Sequence, residues 1–471
     1  MLNPSVRVAN GLLLFGQQLE EWTVGRDRLF AAVGVPYTSF RSSASELGAR
    51  AAKPGARFFD TAKRGRIRFG PGAGLALAVQ VGTDDLLTAL IDANGTVHHA
   101  RFEESVPNQY DMEPSVLLKR IRRAAESLVS EALFDDDLLA EGSLPLLGVV
   151  VVVDKPLDTD AKPAGPAWGH PSWRSGKSLR QRLAQSFGLP VDRCYAIRSA
   201  QASALGVAWR HTRSSEYLDQ RNVDVAMVLN LSSSTSAATV IVDPSTSPLS
   251  GERVTGFLSA QLIVGQHHQA GEIGHIGVDR SVLAELNKRR PADLPTLRPY
   301  RCSCTDQSDP TPPHLEAFVS TGAVTTRLGV SPSSTELARL VRRPREPQTA
   351  RALSDLGALL GATLVGPLVM VDPGSITLTG PLATAEVSGA LSGMVARAGL
   401  PGGEPDVRIV EDPFIALQGA GLAMLRERVF RRLDAILDGP RLESFERVRG
   451  LGMSVIRPEL DTWRVTHPAP V

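Results

Sequence analysis

Four residues of metal-binding type fall in one stretch of the chain, between Ala270 and Ser320: His275, Cys302, Cys304 and His314. Two thiolates and two imidazoles are the number and kind of donors that a closed structural zinc site takes. Glu272 and Glu316 flank them, and a metal clamp there would hold both carboxylates still. Fixed carboxylates beside a pocket accept hydrogen bonds from hydroxyl groups, so polyhydroxylated ligands suit this stretch.

A second chemistry, phosphate contact, is suggested near the N-terminus. Leu12, Leu13, Phe15, Leu19 and Trp22 recur at helical spacing. Arg26 to Val33 then reads as a short helix and Gly34 as a turn; Pro36 and Thr38 open a second helix carrying Tyr37, Ser39, Arg41, Ser42 and Ser43. Helix, glycine turn and polar second helix is the helix-turn-helix layout, whose second helix lies in the major groove. Two strand-like pieces, ARFFD and KRGRIRFG, follow as a wing. The candidate DNA contacts are therefore Arg26, Arg28, Thr38, Ser39, Arg41 and Ser42 in the helices, with Lys63, Arg64, Arg66 and Arg68 in the wing. Such a basic cluster is the footprint of phosphate contacts.

The whole chain sets limits on these readings. It has 471 residues, enough for two to four domains, and a net charge of +1, so any DNA-binding charge must be local. Three cysteines make no disulfide framework, and a reduced Cys302–Cys304 pair fits a cytosolic metal protein. The N-terminus has no signal-peptide pattern, and no apolar stretch reads as long enough to span a membrane. A soluble, cytoplasmic protein is expected.

From Gly74 onward the pattern turns to strands. LALAVQVGT and LLTALIDANGTVHHARFEE are alternating apolar runs in which Asn94-Gly95 marks a hairpin. A helix is expected from Pro114 to Ala132, then the buried strand LLGVVVVVD; later come helices around Ser334–Val341 and Ala350–Leu368, the strand SITLTG, and the helix IALQGAGLAMLRERV.

The run G-E-I-G-H, then C-x-C, then a Leu-Glu-Ala resembles the signature of the ROK family of repressors, open reading frames and sugar kinases. The resemblance covers roughly Leu12 to Val429. It implies an α/β fold: an N-terminal winged helix-turn-helix over residues 1–72, then a two-lobed actin-like ATPase body with lobes at 73–210 and 211–429. Residues 430–471 have no counterpart in it. It implies a structural zinc ion on His275, Cys302 and Cys304, with His314 standing where the family has a third cysteine; Asp306 or Asp309 is the alternative fourth ligand. It also implies a double-stranded DNA operator, a sugar or sugar-phosphate effector between the lobes, a homodimer or homotetramer, and no membrane association.

Three departures separate the chain from the family's kinases. The leading Asp of the first phosphate loop is Gln80, in Gln80-Val81-Gly82-Thr83-Asp84. The general-base Asp position holds Ser199, in Arg198-Ser199-Ala200, and the second phosphate loop, Ser232 to Ala238, has no glycine. Serine cannot replace a carboxylate base near pH 7, and side chains fill space that phosphate would need. The expectation is a regulator without kinase activity, with Glu272, His275, Glu316, Arg198 and Ser199 as ligand contacts and Arg198 suited to an anionic group.

Overall fold

The computed structural model describes residues 59–62, 66–69, 74–104, 108–135, 146–158, 160–164, 168–174, 176–212, 224–242, 260–263, 270–289, 296–300, 313–330, 337, 341 and 346–425. Strands β1 (Phe59–Ala62) and β2 (Arg66–Phe69) pair antiparallel, with Asp60 opposite Arg68 and Ala62 opposite Arg66. The expected wing is thus a hairpin. Its tip residues Lys63 and Arg64, and the helix-turn-helix candidates Arg26, Arg28, Thr38, Ser39, Arg41 and Ser42, lie outside the described residues.

The body contains the same sheet twice. In the first, β3 (Leu75–Val81), β4 (Asp85–Asp92) and β5 (Val97–Glu104) form an antiparallel meander; β6 (Leu146–Val153) and β7 (Cys194–Arg198) add parallel to β3, in the order β5-β4-β3-β6-β7. In the second, β8 (Asp224–Leu231), β9 (Thr235–Val242) and β10 (Ala260–Ile263) form the meander; β11 (Ser375–Thr379) and β12 (Asp406–Ile409) add parallel, in the order β10-β9-β8-β11-β12. The connections repeat too. Helices α1 (Pro114–Asp135) and α2 (Leu179–Phe187) precede β6 and β7, as α7 (Pro347–Val371) and α8 (Ala385–Ala398) precede β11 and β12. The second lobe inserts α4 (Arg280–Lys288), α5 (Glu316–Val319) and α6 (Thr321–Leu328) before α7. A helix follows the last strand of each sheet, α3 (Ser199–Thr212) in the first and α9 (Ile415–Leu425) in the second.

Three cores hold these layers. The outer face of the first sheet packs Leu77, Val79, Val151 and Val153 against Leu117, Ile121 and Leu128 of α1 and Leu183 of α2. The outer face of the second packs Leu229, Ile376 and Leu378 against Leu353, Leu356, Leu360 and Leu364 of α7 and Leu391 of α8. Between the sheets, Ala78, Val150 and Val152 of the first and Val228 and Val240 of the second enclose Ala204 and Ala208 of α3 and Leu417, Ala420 and Met424 of α9. Small residues recur here because helix and sheet backbones approach closely: a Cβ on Gly419 would meet the Ala202 carbonyl at 1.9 Å.

Local sequence accounts for the elements. β6 is the apolar run LLGVVVVV because a parallel strand is covered on both faces. β5, at an edge, alternates half-buried and exposed residues and carries His98, Arg101 and Glu103. Gly95 takes the positive φ of 74° that the turn after Asp92 requires, and a Cβ there would meet Trp209 Nε1 at 2.7 Å. Trp168 and Trp173 pack with Tyr110 in the outer core of the first lobe. Contrary to the sequence expectation, α7, with 25 residues and an 18-residue window of mean hydropathy 1.6, is long and apolar enough to span a membrane. Its apolar stripe is buried against the second sheet and α8.

Candidate functional site

The parallel strands of both sheets end toward one another, and in open α/β sheets ligands bind outside such carboxyl ends. Four segments emerge there: Gly82–Asp84 after β3, Asp154-Lys155 after β6, Ser199 after β7, and Ser232–Ser234 after β8. A continuous polar network links them. Ser233 Oγ donates to Asp154 Oδ2 at 3.0 Å, and Ser232 Oγ lies 3.3 Å from the same oxygen. Ser234 Oγ donates to the Asp154 carbonyl at 3.0 Å. Asn230 Nδ2 donates to Ser199 Oγ and to Ser232 Oγ, each at 3.1 Å. The Asp154 N–H donates to the Tyr110 hydroxyl at 3.0 Å, which in turn donates to the Val81 carbonyl at 2.5 Å.

Charge in this network is unevenly balanced. Burial raises the Asp154 carboxyl above the usual range; hydrogen bonds from Ser199 and Ser233, the Lys155 charge and the Ser232 hydrogen bond pull it back. Asp85, at the start of β4, is pushed up to about 6 by burial and then by the charges of Asp154, Asp84 and Glu104. Its carboxylate folds back over Gly82, where a Cβ would lie 2.1 Å from Asp85 Oδ1. The turn is tied down by Gln109, whose Nε2 donates to the carbonyls of Gly82 at 3.1 Å and Asp85 at 2.7 Å.

The G-E-I-G-H stretch docks onto the same region, and its glycines have a steric reason. Gly271, at φ 87°, has its carbonyl 2.7 Å from the Ala237 N–H, and a Cβ there would meet the Ala237 carbonyl at 1.8 Å. A Cβ on Gly274 would meet the Thr235 carbonyl at 2.6 Å and Glu316 Oε2 at 3.1 Å. Glu272 makes a close ion pair with Arg198, which also donates to the Ala270 carbonyl at 3.4 Å. Arg198 is only 4% exposed, so the guanidinium that the sequence offered to an anion is engaged by Glu272. Burial raises the Glu316 carboxyl, with Lys155 opposing and Glu272 adding to the shift.

His275 and His314 come together. The Leu315 N–H donates to the Ile276 carbonyl at 2.9 Å and the Val278 N–H to the Pro313 carbonyl at 2.9 Å, so the two segments run side by side. Their rings stand 5.5 Å apart at 77°, and His275 Nε2 is 3.6 Å from Glu272 Oε2. Two imidazoles on one tetrahedral zinc, at about 2.0–2.1 Å per bond, need rings at about this separation. Cys302 and Cys304, with Asp306 and Asp309, lie outside the described residues. Among the described residues, no three His, Cys, Asp or Glu side chains cluster as a metal site.

The structure thus brings Glu272, His275, His314, Glu316, Arg198 and Ser199 to one region. Sequence reasoning missed Asp154, Tyr110 and Asn230. The available signal for Asp154 was an aspartate directly after a wholly apolar parallel strand, the end at which open α/β sheets place their ligand sites.

No family model matches the chain, and no curated protein matches it. Among solved structures, a ROK family transcriptional regulator described as a homolog of the E. coli MLC protein aligns over 92% of this chain and 100% of its own, at 14% identity and a TM-score of 0.56. A ROK hexokinase from Thermus thermophilus aligns over 74% of this chain and 97% of its own, at 18% identity and a TM-score of 0.45. A ROK family glucokinase from Streptomyces griseus, solved with glucose and AMPPNP, aligns over 74% and 98%, at 15% identity and a TM-score of 0.47. The duplicated sheets and their interleaved helices give this chain the actin-like fold of the ROK proteins.

Proposed function

We propose that the chain is a DNA-binding transcriptional regulator of the ROK family that senses a hydroxylated ligand between its lobes and does not transfer phosphate. The observation that carries this reading is the network at the strand ends. Ser199 occupies the general-base position and accepts from Asn230, while the hydroxyls of Ser232–Ser234 are turned toward Asp154. Phosphoryl transfer works through positioned carboxylate and phosphate-binding N–H groups, and hydroxyl side chains bonded to a carboxylate supply neither. The alignment with a regulator over 92% of this chain supports the same reading.

Glu272 and Glu316 are the acceptors that a sugar-like ligand would meet, with the remaining ring N–H of His275 as a donor, and a structural zinc ion on His275, His314, Cys302 and Cys304 would fix them. The N-terminal region, 1–72, would contact operator DNA as part of a homodimer or homotetramer in the cytoplasm. Ligand binding that favours one lobe closure would alter the spacing of the paired DNA-binding units. Duplex affinity measured against salt tests the DNA contact. Phosphate contacts predict a linear fall of log affinity with log salt, made shallower by replacing Lys63, Arg64, Arg66 and Arg68 with alanine. A salt-independent affinity, or none, would remove the reading.

One observation favours a second reading, a sugar kinase: the Asp154 carboxylate is linked to Ser199 through Ser232 and Asn230 and so stands near the vacant base position. ADP release on mixing protein, ATP, magnesium and hexoses, abolished by Asp154→Asn, would establish it.

A further inference from the structure

The carboxylate of Asp154 belongs to the first sheet, while the hydroxyls that meet it, on Ser232, Ser233 and Ser234, form the β8–β9 turn of the second. These bonds therefore cross between the lobes. A turn of hydroxyl donors at the carboxyl ends of parallel strands is a setting that receives oxyanions. In this protein the oxyanion is part of the chain.

We propose that Asp154 is a resident occupant of an anion site: it takes the hydroxyl donors of the β8–β9 turn, closes one lobe on the other, and bars phosphate-bearing ligands from the cleft. The ligand class it leaves is an uncharged, hydroxyl-rich molecule. Each serine has one proton to donate, and Ser233 spends its own on Asp154 at 3.0 Å; the Ser232 hydroxyl is shared between Asp154 and the Ser234 carbonyl at 3.1 Å. A phosphate entering here would lose those donors and meet a carboxylate charge at short range. The same charge acts on Asp85 across the β3 end of the floor, so the repulsion extends beyond the serine turn. Arg198, the buried cation of the floor, is paired with Glu272. This inference concerns the cleft alone and stands whether or not the protein binds DNA.

Titration calorimetry of the full-length protein with inorganic tripolyphosphate tests it. Asp154→Asn preserves shape and removes the charge, and is expected to bind tripolyphosphate at least about tenfold more tightly than wild type, from the like-charge repulsion relieved. Equal affinity for wild type and a folded D154N overturns the proposal. The double variant Ser232→Ala, Ser233→Ala gives an independent arm that keeps the carboxylate. It is expected to exclude tripolyphosphate as wild type does, and a gain in affinity there would equally overturn the assignment.

Discussion

Replacing Asp85 with asparagine should stabilise the protein, and by an amount that depends on pH. In the folded state this carboxyl is pushed from 3.8 to about 6, chiefly by burial and by the charge of Asp154. Because the folded pKa is the higher one, the folded state binds the proton more tightly, and stability falls as pH rises between the two values. Above pH 6 the group is charged in both states and the cost is fully present; below about pH 4 it is protonated in both and the cost vanishes. At about 1.4 kcal/mol per pH unit, the full cost is about 3 kcal/mol. Asparagine carries no charge at any pH and has the same shape. Its gain should therefore be about 3 kcal/mol at pH 7.5 and about 1 kcal/mol at pH 4.5, by the same linkage. Calorimetric melting of D85N and wild type at both pH values reads this as a rise of several degrees at pH 7.5 and a smaller one at pH 4.5. A gain that does not vary with pH, or a loss at pH 7.5, would show that the surroundings of Asp85 do not raise its pKa.

Other perturbations follow from the same geometry. Arg198→Met leaves Glu272 partly buried without its cation and should cost roughly 3 kcal/mol, while adding Glu272→Gln should restore most of the loss; additive losses in urea denaturation would contradict the pairing. Tyr110→Phe removes a hydroxyl bridging the Asp154 N–H and the Val81 carbonyl, and should cost about 1–3 kcal/mol, so an unchanged melting temperature would count against that bridge. His275→Ala should release zinc from the purified protein; equal zinc content by elemental analysis in variant and wild type would remove the proposed metal site.

Much of this fold was legible because its signals are local. The continuous valine run announced β6, Asn94-Gly95 the β4–β5 hairpin, and KRGRIRFG the second strand of the basic hairpin. The G-E-I-G-H run was legible as a signature, but the close approach of Gly271 and Gly274 to β9 that requires its glycines shows only in the structure. The contents of the cleft were less legible, because they depend on residues far apart in sequence. Arg198 reads as a free anion receptor until Glu272, 74 positions away, is placed beside it. Asp154 reads as the end of a strand until the serine turn, 79 positions on, arrives from the other sheet. The loss of glycine from that turn was visible, but what replaced the missing ligand was not. The length of α7 was underread: the expected helix covered Ala350–Leu368, whereas Pro347–Val371 matches a membrane span in length and composition, and packing against the second sheet gives it a core role.

The proposed regulator would read DNA while carrying a body that no longer handles phosphate. Its most direct test is selection of genomic fragments by the purified full-length protein at low and moderate salt, followed by footprinting of what is enriched. A protected pseudo-palindrome is expected, with half-sites set by a two-fold dimer and affinity that drops steeply with salt. A folded, zinc-loaded protein that enriches no fragment at either salt concentration would contradict it.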